Sequence, residues 1–193
     1  MSISTSKIEK NWSTFQNLII KCCDTAGKSL LEELGERMIM CPSSMRKDQI
    51  GAYPGGMINT SLDITMQMRK ANQINKICTD EMSLLRVGLL HDIGKIGDET
   101  TDLFSEQDSE WHRDKLGQMY KYNEDLSRMS ISHRTLYLLQ RYKIDLSREE
   151  WVAIQLAQGS HFEENRFYVG HEPSLGILLQ QSKALVSHLF RVL

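Results

Sequence analysis

Apolar residues recur at steps of three and four along most of this chain, the spacing that gathers side chains on one face of an α-helix. Two such stripes open the sequence. They contain Ile8, Trp12, Phe15, Ile19 and Cys22, and then Leu30, Leu31, Leu34 and Met38. Strand signals are few, because β-branched residues rarely alternate with polar ones. The pattern therefore predicts an all-α fold, built as a compact helical bundle.

The same pattern predicts further helices and the loops between them. Helices are expected over residues 57–78, along the Leu-rich run 84–90, near 136–142, from Ser147 to Gly159 and from Ser174 onward. Ser147 is the best-marked start, because its hydroxyl can cap the helix while Glu150 reaches back to the preceding backbone. Loops are expected over 42–56, over the acidic stretch 98–111, and over 159–173, which we expect its own aromatic side chains to anchor.

Length, charge and cysteine content limit the class of protein. A chain of 193 residues suffices for one domain with a hydrophobic core, so residues 1–193 are expected to form a single domain. The net charge of -2 supplies no basic field, so a nucleic-acid partner is not favoured. No apolar run approaches the roughly 20 residues that a membrane span needs, so no membrane partner is expected. Cys22, Cys23, Cys41 and Cys78 form no CxxC pair and follow no secretory signal, which predicts reduced thiols and a cytoplasmic location.

The chemistry that the sequence offers begins where the Leu-rich run meets His91-Asp92-Ile93-Gly94-Lys95. Neighbouring side chains on a regular helix point about 100° apart, so a joint role for His91 and Asp92 requires irregular backbone. Gly94 and Gly97 permit such backbone. A His-Asp pair by itself says little, because it arises often by chance.

A second block lies upstream of this pair. It reads Gly51-Ala52-Tyr53-Pro54-Gly55-Gly56-Met57-Ile58 and leads into Ser61-Leu62. Backbone N–H groups of a glycine-rich loop that precedes a helix can hold an anion, so Gly55 and Gly56 are candidate substrate-binding residues. The alternative interpretation is that these glycines only make a turn.

In their order and spacing, the two blocks resemble the HD superfamily of metal-dependent phosphohydrolases, in particular its small single-domain members from bacteria and phages. The resemblance covers residues 51–98 well and extends more loosely to the C-terminus. It implies an all-helical HD-domain bundle whose core is 51–193, preceded by N-terminal helices in 1–41. For intact members it implies hydrolysis of phosphate esters or anhydrides in nucleotides, by water activated on a divalent metal such as Mn, Mg or Zn.

The resemblance also implies roles for individual residues. His91 and Asp92 correspond to metal ligands of the catalytic centre, and Lys95 lies where a phosphate-contacting residue often follows the pair. Lys95 has an equally available interpretation as a cation that favours the dipole at a helix C-terminus.

The rest of the expected metal shell departs from the family pattern. The positions of three histidines fall on Thr60, Ile131 and Ala157, and the position of one aspartate falls near Lys183. A cation would keep His91 and Asp92, whereas zinc usually takes four ligands and hard divalent ions about six. An ammonium about 4 Å from the cation would repel it by roughly 8 kcal/mol at an effective dielectric near 20. Lys183 could instead pair with Asp92.

Substitute ligands are available elsewhere in the sequence. Asp63, one turn after Thr60, could complete a shell together with His112, His133 or His161. Each of these residues also has a simpler interpretation as a structural or solvated side chain. Arg166, among the aromatic residues of segment 159–173, could contact a substrate or a partner.

Two functional hypotheses follow from these observations. The first is a non-hydrolytic HD-type domain that binds a nucleotide or a protein and needs no cofactor. The second is a metal-dependent phosphohydrolase that acts on a nucleotide phosphoester or phosphoanhydride, so the sequence leaves open whether the chain is an enzyme. A third hypothesis, a helical bundle without any functional site, would require the glycine and His-Asp blocks to be coincidental. The apolar last helix, which ends in Leu189, Phe190, Val192 and Leu193, could pack against a second copy in a homo-oligomer.

Overall fold

The computed structural model describes residues 3–77 and 80–192, and within them the fold is all-α, as the apolar pattern predicts. Its α-helices are α1 (Thr5–Met40), α2 (Gly56–Asn75), α3 (Glu81–Leu90), α4 (Glu110–Leu116), α5 (Ile131–Arg141), α6 (Arg148–Gln155) and α7 (Ser174–Val192). Single 3-10 segments cover Ile93–Ile96, Leu156–Gln158 and Glu163–Tyr168. Cys78, the end of the helix expected over 57–78, and Leu193 lie outside the described residues.

The two N-terminal stripes lie on either side of a break in α1. The helix begins where the Ser4 hydroxyl accepts a hydrogen bond from the Lys7 N–H, and its regular geometry fails at Asp24, where φ is 47° and ψ is -128°. The chain turns so tightly there that a Cβ on Gly27 would lie 2.9 Å from Ile19 Cγ2. The two predicted helices therefore correspond to the parts of α1 before and after Asp24.

The hydrophobic core lies between α1, α2, α3, α6 and α7. Helix α2 packs on α1, α3 and α7, and α6 packs on α7. Fully buried side chains from each of these helices fill the centre, among them Phe15, Met68, Leu89, Ile154 and Leu178. The 3-10 segment Ile93–Ile96 packs against α5, so the residues that follow α3 are held between the core and α5. No helix in the described ranges is both long and apolar enough to cross a lipid bilayer.

The prediction that 98–111 is a loop is wrong in part. Strand β1 (Phe104–Glu106) pairs antiparallel with β2 (Tyr120–Tyr122), and α4 starts at Glu110 behind a Ser109 cap. The Phe104 ring stacks on Tyr122 with centroids 5.7 Å apart. Strand β1 depends on β2 for its backbone hydrogen bonds and for the Tyr122 ring that stacks on Phe104. The sequence of the acidic segment alone therefore does not predict the strand.

The expectation that aromatic side chains anchor segment 159–173 is also wrong. Phe162 is exposed, and Phe167 is 89% exposed. Asn165 anchors the segment instead, because its side chain is buried and donates to the Gly159 carbonyl at 2.8 Å. The capping box at the start of α6 is confirmed, since Ser147 and Glu150 exchange the two expected hydrogen bonds.

Candidate functional site

The end of α3 brings His91 and Asp92 together. His91 keeps helical geometry and donates its backbone N–H to the Val87 carbonyl, whereas Asp92, with φ of -117° and ψ of 12°, leaves the helix. This irregular backbone is what a joint role requires, and it brings His91 Nε2 to 3.5 Å from Asp92 Oδ2. The side chains of His91 and Asp92, which would point apart on a regular helix, therefore lie in one site.

Contacts with α5 hold the turn after Asp92 in place. The Gly94 N–H donates to Thr135 Oγ1 at 2.9 Å, and the Thr135 hydroxyl lies 3.3 Å from the His91 carbonyl oxygen that accepts from it. A Cβ on Gly94 would lie 2.4 Å from the Ile131 carbonyl oxygen, which only glycine avoids. The position of the His91–Asp92 pair is therefore set by close backbone packing.

Asp92 is the centre of a buried ion-pair cluster. Lys95 Nζ lies 2.7 Å from Asp92 Oδ2, and Lys183 Nζ lies 3.2 Å from Asp92 Oδ1. Gln158 Nε2 also donates to Oδ1, at 2.7 Å. Burial alone would raise the pKa of the Asp92 carboxyl, but Lys183, Lys95 and His91 together hold it well below its ordinary value. The carboxylate is ionised and its oxygens are occupied by protein donors.

His91 is fully buried and neutral near pH 7. Burial lowers the pKa of its imidazole to about 4, against the opposing effect of Asp92. Nδ1 lies 2.9 Å from the Gly88 carbonyl oxygen, which can only accept, so the proton sits on Nδ1. Nε2 then carries a lone pair, and it has no hydrogen-bond partner among the described residues. This tautomer is also the one of a histidine that binds a metal through Nε2.

Three surface cavities lie beside the cluster, and each of them is lined by at least one partner of Asp92. Lys95 lines one that also contains Cys41 and Tyr120. Gln158 lines a larger one that contains Arg134. Lys183 lines a shallow third one beside Ser187. The carboxylate is thus separated from each cavity by a side chain that it binds.

A divalent cation does not fit this centre as it stands. In residues 3–77 and 80–192, no group of three or more His, Cys, Asp or Glu side chains could hold a metal ion. The two ammonium groups already lie on both oxygens of Asp92, where a cation would have to sit.

No family model, curated protein or solved structure matches the chain.

The four residues to which the resemblance assigns the remaining metal ligands lie at this centre or near it. Lys183 pairs with Asp92, and Ala157 is buried next to Gln158. Ile131 lines the larger cavity. Thr60 is buried with its Oγ1 unpartnered among the described residues, near Gly51 and Ser43, and Ser43 Oγ accepts from Lys95 Nζ.

The substitute ligands proposed from the sequence do not join the cluster as a metal-holding group. Asp63 is half-buried and accepts from Asn59 Nδ2 at 3.0 Å, and burial raises the pKa of its carboxyl. His112 Nδ1 lies 2.8 Å from the hydroxyl of its own helix cap, Ser109. His133 and His161 are exposed, on α5 and before the 163–168 turn.

The predicted substrate-binding residues lie in two separate places. Gly55 caps α2 with a φ of 79°, and the Gly56 N–H donates to the Tyr53 carbonyl. The next N–H, of Met57, donates to the Cys41 carbonyl, so these donors are used inside the protein. Arg166 is exposed in the 163–168 turn. A role for these residues in binding stays a prediction.

Sequence reasoning missed two residues that the structure places in prominent positions. Gln158 lies one residue after the expected ligand position and was not considered as a partner of Asp92. Arg134 is a nearly fully buried arginine on α5. The sequence could have indicated its burial, because Arg134 lies four residues before the buried Leu138 and so on the apolar face of α5.

Proposed function

We propose that the chain is a domain of HD type that has lost phosphohydrolase chemistry and binds a nucleotide without hydrolysing it. The observation that carries this proposal is the pair of ammonium groups, Lys95 and Lys183, on the two oxygens of Asp92. Lys183 lies near the position that the resemblance gives to the closing aspartate ligand, so a positive side chain pairs with Asp92 where a negative one is expected beside the cation.

The charges at the centre oppose a divalent cation. Asp92 contributes one negative charge, the lysines contribute two positive ones, and neutral His91 contributes none, which leaves an excess of one positive charge. A doubly charged ion about 4 Å from one ammonium is repelled by roughly 8 kcal/mol at an effective dielectric near 20. Metal entry would require both lysines to leave Asp92.

Hydrolysis without metal also lacks a suitable base here. His91 is the neutral group with a free lone pair, but its side chain is fully buried and lines none of the three cavities beside the cluster, so no substrate in them contacts it. Asp92 accepts from three donors already. Neither side chain is available for proton transfer at a substrate in this arrangement.

Calorimetric titration of the metal-free full chain with Mn²⁺ and with Zn²⁺ tests this proposal. We expect no binding in the micromolar range, because both oxygens of Asp92 are held by ammonium groups. Asp92→Ala is the control for any heat that arises elsewhere. Micromolar binding that disappears in Asp92→Ala would contradict the proposal.

The alternative function, a metal-dependent phosphohydrolase acting on nucleotides, is favoured by one observation. His91 has the tautomer of a metal ligand and an Nε2 without a partner among the described residues. Micromolar metal binding followed by release of phosphate from a panel of nucleotides would establish this alternative.

A variant in which expected metal ligands are restored also tests the HD-type assignment. The double variant Ala157→His with Lys183→Asp restores two of the expected ligands and removes one ammonium. We expect it to gain Mn²⁺ binding, while Lys121→Asp, a change of the same type at an exposed ion pair with Asp108, should gain none. A folded double variant that still binds no metal would count against the HD-type placement of these positions.

A further inference from the structure

One cavity beside the Asp92 cluster has features of a ligand site of its own. It has a volume of about 760 Å³ and lies between α5, the segment 122–130 and the two 3-10 segments that follow α6. Gln158 lines it on the side of Asp92. We call it the Arg134 cavity. Its rim includes the exposed residues 127–129 and Phe162, which is 44% exposed.

Arg134 places a positive charge at the inner wall of this cavity. The residue is 3% exposed, and one arm of its guanidinium donates from Nη2 to the Ser127 carbonyl at 2.7 Å. The other arm, Nη1, has no hydrogen-bond partner among the described residues, and no carboxylate there forms an ion pair with it. Arginine stays protonated in proteins, so this is a buried cation without its anion.

Burial lowers the pKa of Arg134, and Asp98 only partly opposes that effect. The direction shows that the surroundings disfavour the charge, as expected where a counter-anion is absent. A planar guanidinium with a free arm matches the geometry of a phosphate or carboxylate group.

Two further buried side chains in the same cavity have unpartnered polar atoms. These are Ser132 Oγ and Gln155 Oε1, on residues that are 3% and 5% exposed. Both residues line the cavity with Arg134. Buried polar groups in folded proteins are nearly always hydrogen-bonded, so three such atoms around one cavity need partners that the described residues do not supply.

The orientation of the Gln155 amide is fixed by its neighbour. Asn165 Nδ2 lies 2.8 Å from the Gly159 carbonyl oxygen, which can only accept, so Asn165 Oδ1 must face Gln155. Gln155 Nε2 donates to that Oδ1 at 3.0 Å. Gln155 Oε1 is therefore the free atom, and it can only accept. A ligand at this position must present an N–H or O–H donor.

We propose that the Arg134 cavity binds a small organic oxyanion, a phosphate or carboxylate compound, that also carries an N–H or O–H donor. The oxyanion lies against Arg134 Nη1 and the Ser132 hydroxyl, and the donor lies against Gln155 Oε1. Phosphate and carboxylate groups share this recognition chemistry, and a mononucleotide has both the anion and the donor.

The inference rests on the proposed function only for the statement that this domain binds a ligand without hydrolysing it. The cavity does not use Asp92, Lys95 or Lys183 as ligand contacts. Metal binding at Asp92 would overturn the proposed function and leave this site intact, and an empty Arg134 cavity would do the reverse.

Calorimetric titration of the full chain with four probes tests the site. Adenosine 5′-monophosphate carries phosphate and donors, adenosine lacks the anion, inorganic phosphate lacks the organic part, and glutamate offers carboxylates with an ammonium donor. We expect adenosine 5′-monophosphate or glutamate to bind and adenosine to bind at least about tenfold more weakly. Preference for the nucleotide identifies a phosphate ligand, and preference for glutamate identifies a carboxylate ligand.

Variants of the wall then locate the binding. Gln155→Glu keeps the size of the side chain and places a second negative charge beside the oxyanion. It should therefore weaken binding at least about tenfold. Ser132→Ala should weaken it about threefold to tenfold. Gln140→Glu, the same change at an exposed position of α5, is the matched control and should leave affinity unchanged.

Arg134→Lys keeps the charge and loses the planar fork, so it should weaken binding even if its stability is preserved. If that variant does not fold, as judged by circular dichroism, the Gln155→Glu and Ser132→Ala results decide. Failure of every oxyanion probe to bind at millimolar concentration would overturn the proposal. Binding that is equal in the parent chain, Gln155→Glu and Ser132→Ala would overturn it as well.

Discussion

Asp92 and Glu150 are both buried carboxylates at the ends of core helices, but their surroundings are balanced differently. Glu150 faces one cation, Arg86, whose Nε lies 2.8 Å from Oε1, and its other oxygen accepts from the Ser147 N–H at 2.6 Å. Asp92 faces two ammonium groups and an amide.

The difference separates a structural ion pair from a centre with excess charge. Arg86 also donates to the Cys22 carbonyl at 2.8 Å, so the Glu150 pair ties α3 and α6 to α1 with equal and opposite charges. Folding alone needs no more than that. The second lysine at Asp92 exceeds what neutralisation of one carboxylate requires.

The largest expected effect comes from removing each carboxylate's charge. Asp92→Asn should lower the free energy of unfolding by about 3–5 kcal/mol, because it leaves two buried ammonium groups without an anion. Glu150→Gln should cost less, about 2 kcal/mol, since it leaves one guanidinium that keeps a carbonyl acceptor. Urea unfolding followed by circular dichroism measures both.

Asp108→Asn is the control for this prediction, because its ion pair with Lys121 is exposed and should contribute less than about 1 kcal/mol. A larger loss for Glu150→Gln than for Asp92→Asn would reverse the comparison between the two carboxylates.

The second effect concerns pH, because the Asp92 centre contains an imidazole and the Glu150 pair does not. Burial lowers the pKa of His91 from 6.5 to about 4, so the unfolded chain binds more protons between these values. Stability should therefore fall as pH is lowered through that window, by about 3 kcal/mol in total. The pKa of Asp92 is lowered too, so its own contribution is lost only below about pH 4.

Urea midpoints measured at intervals from pH 7 to pH 4 test this prediction, with His91→Gln as the variant that cannot titrate there. We expect the parent chain to lose stability across the window and His91→Gln to be flatter. Parallel curves for the two proteins would show that His91 is not the responsible group.

The third effect comes from removing one cation at each site. Arg86→Met takes away the single positive partner of Glu150 and should cost about 2–3 kcal/mol. Lys183→Met leaves Asp92 with Lys95 and Gln158, so it should cost about 1 kcal/mol or less. Equal losses in urea unfolding would mean that Lys183 is as necessary for folding as Arg86, and the excess of charge at Asp92 would need another explanation.

The sequence predicts elements whose signals are local. Ser147 and Glu150 stand three residues apart at the start of α6, and both hydrogen bonds of the box are present. The β1–β2 hairpin escaped prediction because Phe104 finds its partner in Tyr122, which lies across α4 in the sequence. The break at Asp24 lies between the two apolar stripes, which predict two separate N-terminal helices.

At the candidate site, the same limit applies. The position of Lys183 beside Asp92 was anticipated as an alternative, through the register of the family resemblance. Gln158 was missed by one residue, because a 3-10 segment follows α6 there and shifts the direction of the side chains. The Arg134 cavity was not anticipated, since its walls come from segments that are distant in sequence.

The smallest expected effect separates the two roles of Glu150. Ser147→Ala removes the hydroxyl that accepts from the Glu150 N–H at 3.2 Å, but it leaves the ion pair with Arg86 and the Ser147 N–H bond intact. We expect a loss of about 1 kcal/mol, the usual contribution of a helix cap. Ser130→Ala, which removes the cap of α5, is the matched control and should cost a similar amount. A loss for Ser147→Ala as large as that of Glu150→Gln would show that the cap holds the ion pair in place, and Glu150 would then be as interdependent with its neighbours as Asp92 is.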